Sequence, residues 1–322
     1  MEIDRIEIQA AAEHNKMRLE DFLLDHFSIL SKMYLRDLVK TAMCEVNGRH
    51  ENIGFKLRPN DFVEITVDHS RGTAMRPENI DLDIIFEDDE IIVVNKPAGM
   101  LMHPSHRDNT GTLLNALVFY LNAGNARTQK HRDAVIRPGL PHRLDKQTSG
   151  LVVVAKSARA HRVLSSHFMK KRVEKLYLAL VDGVVAEGFG EIAEPVGRFA
   201  ELKIYGVKAD GKAALTRYKV RQHFPDLTLL ELEPVTGRTN QLRVHCEHIG
   251  HPIVGDTARG GREFERLCLH AYKLAFPHPA TRERMEFQSD VPEGFEGGST
   301  PYLTNLSVSS NKKKFDVKSH EP

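Results

Sequence analysis

Residues 137–155 read RPGLPHRLDKQTSGLVVVA, an Arg-Leu-Asp triplet between proline and glycine punctuation that runs directly into an apolar, β-branched segment. Pro138, Pro141 and Gly150 mark the first part as a loop, and residues 151–155 have the length and composition of a buried strand. A loop stiffened by prolines and anchored in a strand can present Asp145 rigidly. Its carboxylate could then serve as a nucleophile or base, and turn capping is the other common use of an aspartate in such a place.

Outward from this segment, the runs 82–86 (LDIIF), 90–94 (EIIVV), 176–181, 227–232 and 268–276 are short and rich in residues that favour strands. Helical spacing between Ala158 and Lys171, where Val163, Leu164 and Phe168 share a face, and from Asn240 to Ile249 around Leu242, predicts two helices. Their uneven placement lacks the regular strand-helix alternation of a parallel sheet. The expected fold class is therefore α+β, with a mixed, mainly antiparallel sheet.

A smaller unit precedes this domain. Leu19, Phe22, Leu23 and Phe27, then Leu35, Leu38 and Val39 after Ser31 as N-cap, predict two short amphipathic helices. Asn47-Gly48 is a turn signal, and Val63, Ile65 and Val67 alternate with Glu64 and Thr66 as in a half-buried strand. The expected division is an N-terminal extension over 1–15, a compact module over 16–68, a linker over 69–79, a larger domain over 80–302 and a disordered tail over 303–322, the last being polar and rich in Lys and Ser.

The 322 residues are 41% hydrophobic and 28% charged with a formal net charge of +1, ordinary values that exclude a fibrous or wholly disordered chain. Charges throughout the first twenty residues argue against a signal peptide, and no stretch of about 18 apolar residues suggests a membrane span. A cytoplasmic location without a membrane partner is expected. Cys44, Cys246 and Cys268 are scattered and odd in number, so reduced thiols are expected.

Two clusters suit a polyanion. Lys156, Arg159, Arg162, Lys170, Lys171, Arg172 and Lys175 face only Glu174 in their segment, a charge run that also fits a solvated helix face. In VTGRTNQLRVH, residues 235–245, Arg238 sits in a turn and Arg243 on the following helix, where guanidinium forks could pair with a carboxylate or phosphate. An Arg243 that reaches Asp145 would orient the carboxylate and favour its ionised form.

NKPAGMLMHP at 95–104, HRLDKQTSG at 142–150, KLYLALVDG at 175–183, TGRTNQLRVHCEHIGHPIVGD at 236–256 and LCLHAYKLAFPHP at 267–279 together resemble the RluA-type pseudouridine synthases, in that family's order. Residues 16–68 resemble an S4 RNA-binding module through MRLEDFLLDHF, SILSKMYLRDLV and VNGR. The resemblance implies isomerisation of an RNA uridine to pseudouridine, with Asp145 as the catalytic aspartate, Tyr177 as the tyrosine stacking near the target base and Arg243 as the arginine paired with the aspartate. It places Arg143 where an arginine invades the RNA stack, and Leu269 in the apolar wall of the base pocket. His142, Arg238, Lys170, Lys171 and Arg172 complete the expected RNA-facing set, since an extruded base has to be gripped and its backbone positioned.

The reaction has no net redox change, so no cofactor is expected, and the resemblance favours large-subunit ribosomal RNA as partner. The same chemistry on transfer RNA, and a noncatalytic S4-containing RNA-binding protein, are the competing readings; intact Asp145, Tyr177 and Arg243 argue against the latter. Asn240 replaces the family's usual histidine and Pro141 its usual aliphatic residue. The run His245-Cys246-Glu247-His248-Ile249-Gly250-His251 offers metal-type donors but falls inside a motif not known for metal, so no metal is expected. Residues 16–68 carry eight Lys/Arg and nine Asp/Glu, so an RNA-binding face there requires local segregation of charge.

Overall fold

The computed structural model describes residues 3–27, 30, 32–68, 76–105, 108–122, 136–202 and 204–295. Alternation at residues 63–67 produces the centre of the first unit. Strand β1 (Ile3–Gln9) and the short β2 (Cys44–Val46) both pair antiparallel with β3 (Phe62–Asp68), in the order β1-β3-β2. Val63, Ile65 and Val67 point inward onto helices α1 (Leu19–His26) and α2 (Lys32–Lys40), whose Leu19, Phe22, Leu23, Leu35, Leu38 and Val39 complete the core. Asn47 and Gly48 both adopt positive φ, 52° and 72°, as a tight hairpin turn requires. Residues 3–9, expected as an extension, instead pair along β3 from Ile3↔Asp68 to Gln9↔Phe62. The proposed N-cap Ser31, most of the linker and the tail lie outside the described residues.

The larger unit is organised on β4 (Ile84–Glu87), β5 (Ile91–Lys96), β6 (Ser149–Ala155), β7 (Glu174–Asp182), β8 (Phe189–Ile192), β11 (Thr216–His223), β12 (Leu227–Pro234), β13 (Leu269–Pro277) and β14 (Arg284–Gln288). The strand order is β4-β5-β6-β13-β7-β12-β11-β8, with β14 joining β13; β6 and β13 are parallel and the other pairs antiparallel. This is the mixed, mainly antiparallel sheet expected. A separate hairpin, β9 (Val196–Phe199) with β10 (Ile204–Val207), stands beside it.

Strands β5 and β6 read as unbroken apolar runs because both faces are covered. Ile91, Val93, Leu151 and Val153 meet Ala160 and Leu164 of helix α4 (Ala158–Met169), while Ile92, Val94, Val152 and Val154 meet Leu113 and Leu117 of helix α3 (Leu113–Asn122). Helix α5 (Gln241–His248) sends Leu242 and Cys246 into a third core built on β7, β12 and β13. The sheet thereby fixes the start of β6, where the Asp145 loop ends.

Candidate active site

The Asp145 loop is tied at both ends. Gly139 and Ala155 exchange backbone hydrogen bonds of 2.8 Å, and the Thr148 N–H donates to the Asp145 carbonyl at 3.1 Å. His142, expected to face RNA, holds this loop: its Nε2 accepts the Val153 N–H at 3.1 Å and its ring stacks on Phe168 at 4.6 Å. Burial pushes its pKa down to about 3, with the nearby Lys175 acting in the same direction. A neutral imidazole with an acceptor at Nε2 follows.

Against the loop lies a buried lysine of the 95–104 segment whose part the sequence does not suggest. Lys96, 1% exposed, donates to the carbonyls of Pro97 (2.7 Å), Met100 (2.9 Å) and Lys146 (3.3 Å). Burial pulls its pKa down to about 8, the charge of Asp145 opposes this, and Arg266 adds to it. The ammonium therefore joins the 96–100 segment to the loop and places positive charge near the carboxylate.

Tyr177 reaches the site from β7, between Leu232 of β12 and Ala271 of β13. Burial and then the Asp145 charge raise its phenol pKa, so at neutral pH the hydroxyl remains a donor. Arg243 comes from the first turn of α5, but its carboxylate partner is Asp256. Nε and Nη2 bind the Asp256 oxygens at 2.6 and 2.7 Å, and Nη1 approaches Asn240 Oδ1 at 3.4 Å. The hydrogen bonds to Asp256 raise the Arg243 pKa against the opposing effect of burial, and Asp145 contributes to the raising field. Asp256 is thus the anchor that sequence matching missed, and its bidentate grip leaves the arginine near Asp145 without a hydrogen bond to it.

Asp145, Tyr177 and Arg243 line one cavity of about 690 Å³, together with His142, Arg143, Lys171, Lys175, Arg238 and Leu269. That volume suits a small organic group such as a nucleoside. Leu269, also in the lining, is 3% exposed. Lys175 follows the two-residue alternation that brings Tyr177 into the pocket; burial lowers its pKa, opposed by Glu233. Gln241 supports the Arg238 turn: its side-chain oxygen accepts the Arg238 N–H at 3.0 Å and its amide donates to the Leu215 carbonyl at 3.0 Å, while Arg238 Nε donates to the Ala213 carbonyl at 3.0 Å.

The end of α4 and the turn that follows expose Met169 (79%), Lys170, Lys171 and Arg172, with Lys171 at φ 54°. Met169 and Lys171 border the cavity, whereas Lys170 and Arg172 are outside its lining. The basic segment is not uniformly solvent-facing: Lys156 is 2% exposed and pairs with Glu87 at 2.8 Å. In the His/Cys run, His245 Nε2 and His251 Nδ1 contact the Glu194 and Asp182 carbonyls at 2.9 and 2.7 Å, and no metal-type cluster occurs among the described residues.

Residues 90–248 match the family described as RNA pseudouridylate synthase. The chain is 38% identical over 295 residues to the uncharacterized RNA pseudouridine synthase YlyB of Bacillus subtilis, covering 90% of this chain and 96% of that protein. It is 34% identical to ribosomal large subunit pseudouridine synthase D of Haemophilus influenzae, over 90% of this chain and 93% of that one. Human RNA pseudouridylate synthase domain containing 1 superposes with a TM-score of 0.54 at 29% identity, over 69% of this chain and 86% of that structure.

Proposed function

The chain belongs to the RNA pseudouridylate synthase family, and on that premise we propose that it isomerises uridine in large-subunit ribosomal RNA, with Asp145 supplying the reactive carboxylate. The enzyme class is an isomerase acting on RNA. The observation that carries the residue assignment is the convergence of Asp145, Tyr177 and Arg243, from three separated segments, on one cavity bordered by Arg143 and Lys171. The reaction breaks the N1 to C1′ bond, turns the uracil and rejoins it through C5.

Within this reading Asp145 acts as nucleophile or base, Tyr177 stacks on the base as a neutral phenol, and Arg243 is held nearby through Asp256. Arg143, exposed on the Asp145 loop, helps displace the uridine from its stack, and the basic turn after α4 contacts phosphates. The β1-β3-β2 sheet with α1 and α2 serves as an S4-like RNA-binding module, supported by its separate core. A location in the cytoplasm, where ribosomal RNA is handled, accompanies this proposal; no helix of the described residues is long and apolar enough to cross a membrane. The large-subunit substrate is supported by the names of relatives such as the Haemophilus influenzae protein.

The test is a map of pseudouridines in ribosomal and transfer RNA from cells carrying the wild type, lacking the protein, or carrying Asp145→Asn. Asn nearly preserves shape but cannot supply an anionic nucleophile or base. Loss of the same large-subunit sites in both altered strains is expected. Loss confined to transfer RNA would move the substrate, and turnover retained by Asp145→Asn would overturn the role of the carboxylate.

A further inference from the structure

Where β6 meets β13, a half-buried arginine and three buried side chains form a polar chain that the proposed chemistry does not use. An Arg266 guanidinium N–H donates to Ser149 Oγ; Ser149 Oγ is 2.7 Å from His270 Nδ1, and His270 Nε2 is 2.8 Å from Ser289 Oγ. Ser149, His270 and Ser289 are 4%, 1% and 6% exposed. At the far end, Ser289 Oγ lies 3.5 Å from the Tyr272 carbonyl. Arg266 can only donate and a carbonyl can only accept, so one neutral arrangement satisfies the chain. Ser149 gives its proton to Nδ1, the ring gives its Nε2 proton to Ser289, and Ser289 gives its own to the carbonyl.

The position of this chain gives it a mechanical consequence. Strands β6 and β13 meet in parallel at only two residue pairs, His270↔Ser149 and Ala271↔Gly150. Gly150 has φ +118°, and a Cβ there would lie 2.3 Å from the Ala271 carbonyl oxygen, so the backbones meet where only glycine fits. Ser149 is four residues beyond Asp145 in sequence. Across β13, His270 pairs with Leu178 and Ala271 with Tyr177. The short parallel contact therefore joins the Asp145 loop to the strand that carries Tyr177.

We propose that His270 is a positioning residue for isomerisation, its Nδ1 bond to Ser149 clasping β6 to β13 and thereby setting the Asp145 loop against Tyr177. The inference rests on the pseudouridine synthase reading. It predicts that losing the Ser149 half of the chain slows chemistry more than losing the Ser289 half, although both remove one buried hydrogen bond.

Two substitutions of the ring in the full chain separate these halves. Asn places a polar group near the former Nδ1 and retains the Ser149 contact, whereas Gln reaches toward the former Nε2 and retains the Ser289 contact. Single-turnover isomerisation and RNA affinity are measured for His270→Asn, His270→Gln and Ser149→Ala. The Gln and Ala variants are expected to react about 10-fold or more slowly with little change in RNA Kd, since small misplacements of reacting groups carry large rate penalties. Asn is expected to restore most of the rate lost with Gln. Equal rates for Asn and Gln, or a faster Gln variant, would overturn the clasp; should either His270 variant fail to fold, a wild-type rate in Ser149→Ala would do so. Activity retained by Asp145→Asn would instead count against the underlying chemical reading.

Discussion

Asp145, Tyr177 and Arg243 each stand in a distinctive motif and meet in one cavity, but the residues that hold them are not marked in the sequence, because motif spacing does not say which side chains bond to one another. Asp256 shows the difference. It is 3% exposed and grips Arg243 bidentately, yet in sequence it is one acid at the end of a long motif. Asp256→Asn would leave the arginine largely buried without its counter-charge, and we expect a loss of about 3 kcal/mol in folding stability. The isomerisation rate should fall by about 10-fold as Arg243 leaves its set position. Urea denaturation and single-turnover assays would check both, and an unchanged rate would detach Arg243 from the chemistry. His270 gives a pH prediction. Burial, then Arg266, pushes its pKa down to about 4, opposed by the Asp290 backbone, from an unfolded value of about 6.5. The unfolded chain therefore binds this proton first, and the stabilisation present above pH 6.5 is lost as pH falls toward 4. Wild-type urea midpoints should fall more steeply between pH 6.5 and 4.5 than those of His270→Asn, by up to about 1.4 kcal/mol per pH unit in the underlying free energy.

At the scale of elements, sequence patterns revealed strands according to how they are buried. The inner strands β5 and β6 show as β-branched apolar runs and β7, β12 and β13 as short runs rich in Leu, Ala and aromatic residues, while β8 (FGEI) and β11 (TRYKVRQH) have too few apolar residues to form such a run. Helix α3 was missed for the opposite reason: LLNALVFYLN is apolar on nearly every side, and seven of its ten residues are buried, so its helical period is obscured. Burial also changes the meaning of a charge run, as Lys156 shows by pairing with Glu87 inside the fold. Within that run, Lys170, Lys171 and Arg172 form an exposed cationic turn that meets the pocket through Lys171. Replacing all three with Ala should leave the thermal midpoint nearly unchanged because all are exposed. RNA affinity should weaken, and the slope of log affinity against log salt should decrease by up to about 3. An unchanged slope would remove this turn from the RNA footprint.

For the whole molecule, the question is how chemistry and RNA selection are divided along the chain. The first core is assembled entirely from residues up to 67, while the cores of the sheet domain begin with Leu82, so each unit buries apolar side chains among its own elements. Electrostatic interactions nevertheless reach between them, Glu20 acting on Arg137, Lys32 on His161 and Arg162 on Asp25. The small unit supplies no residue to the pocket lining, and under the proposed reading its part is to orient RNA toward the pocket. Deleting residues 1–75 should leave a folded domain that converts a short stem-loop at a near-normal rate when saturated, because Asp145, Tyr177, Arg243 and Asp256 all remain. Affinity for structured large-subunit RNA should fall by about 10-fold or more, with weaker discrimination between uridines, as expected when one of two linked binding surfaces is removed. Equal affinity in the truncated and full chains would assign RNA selection to the sheet domain. A lost saturated rate in a folded fragment would instead show that α1 and α2 help hold the Asp145 loop.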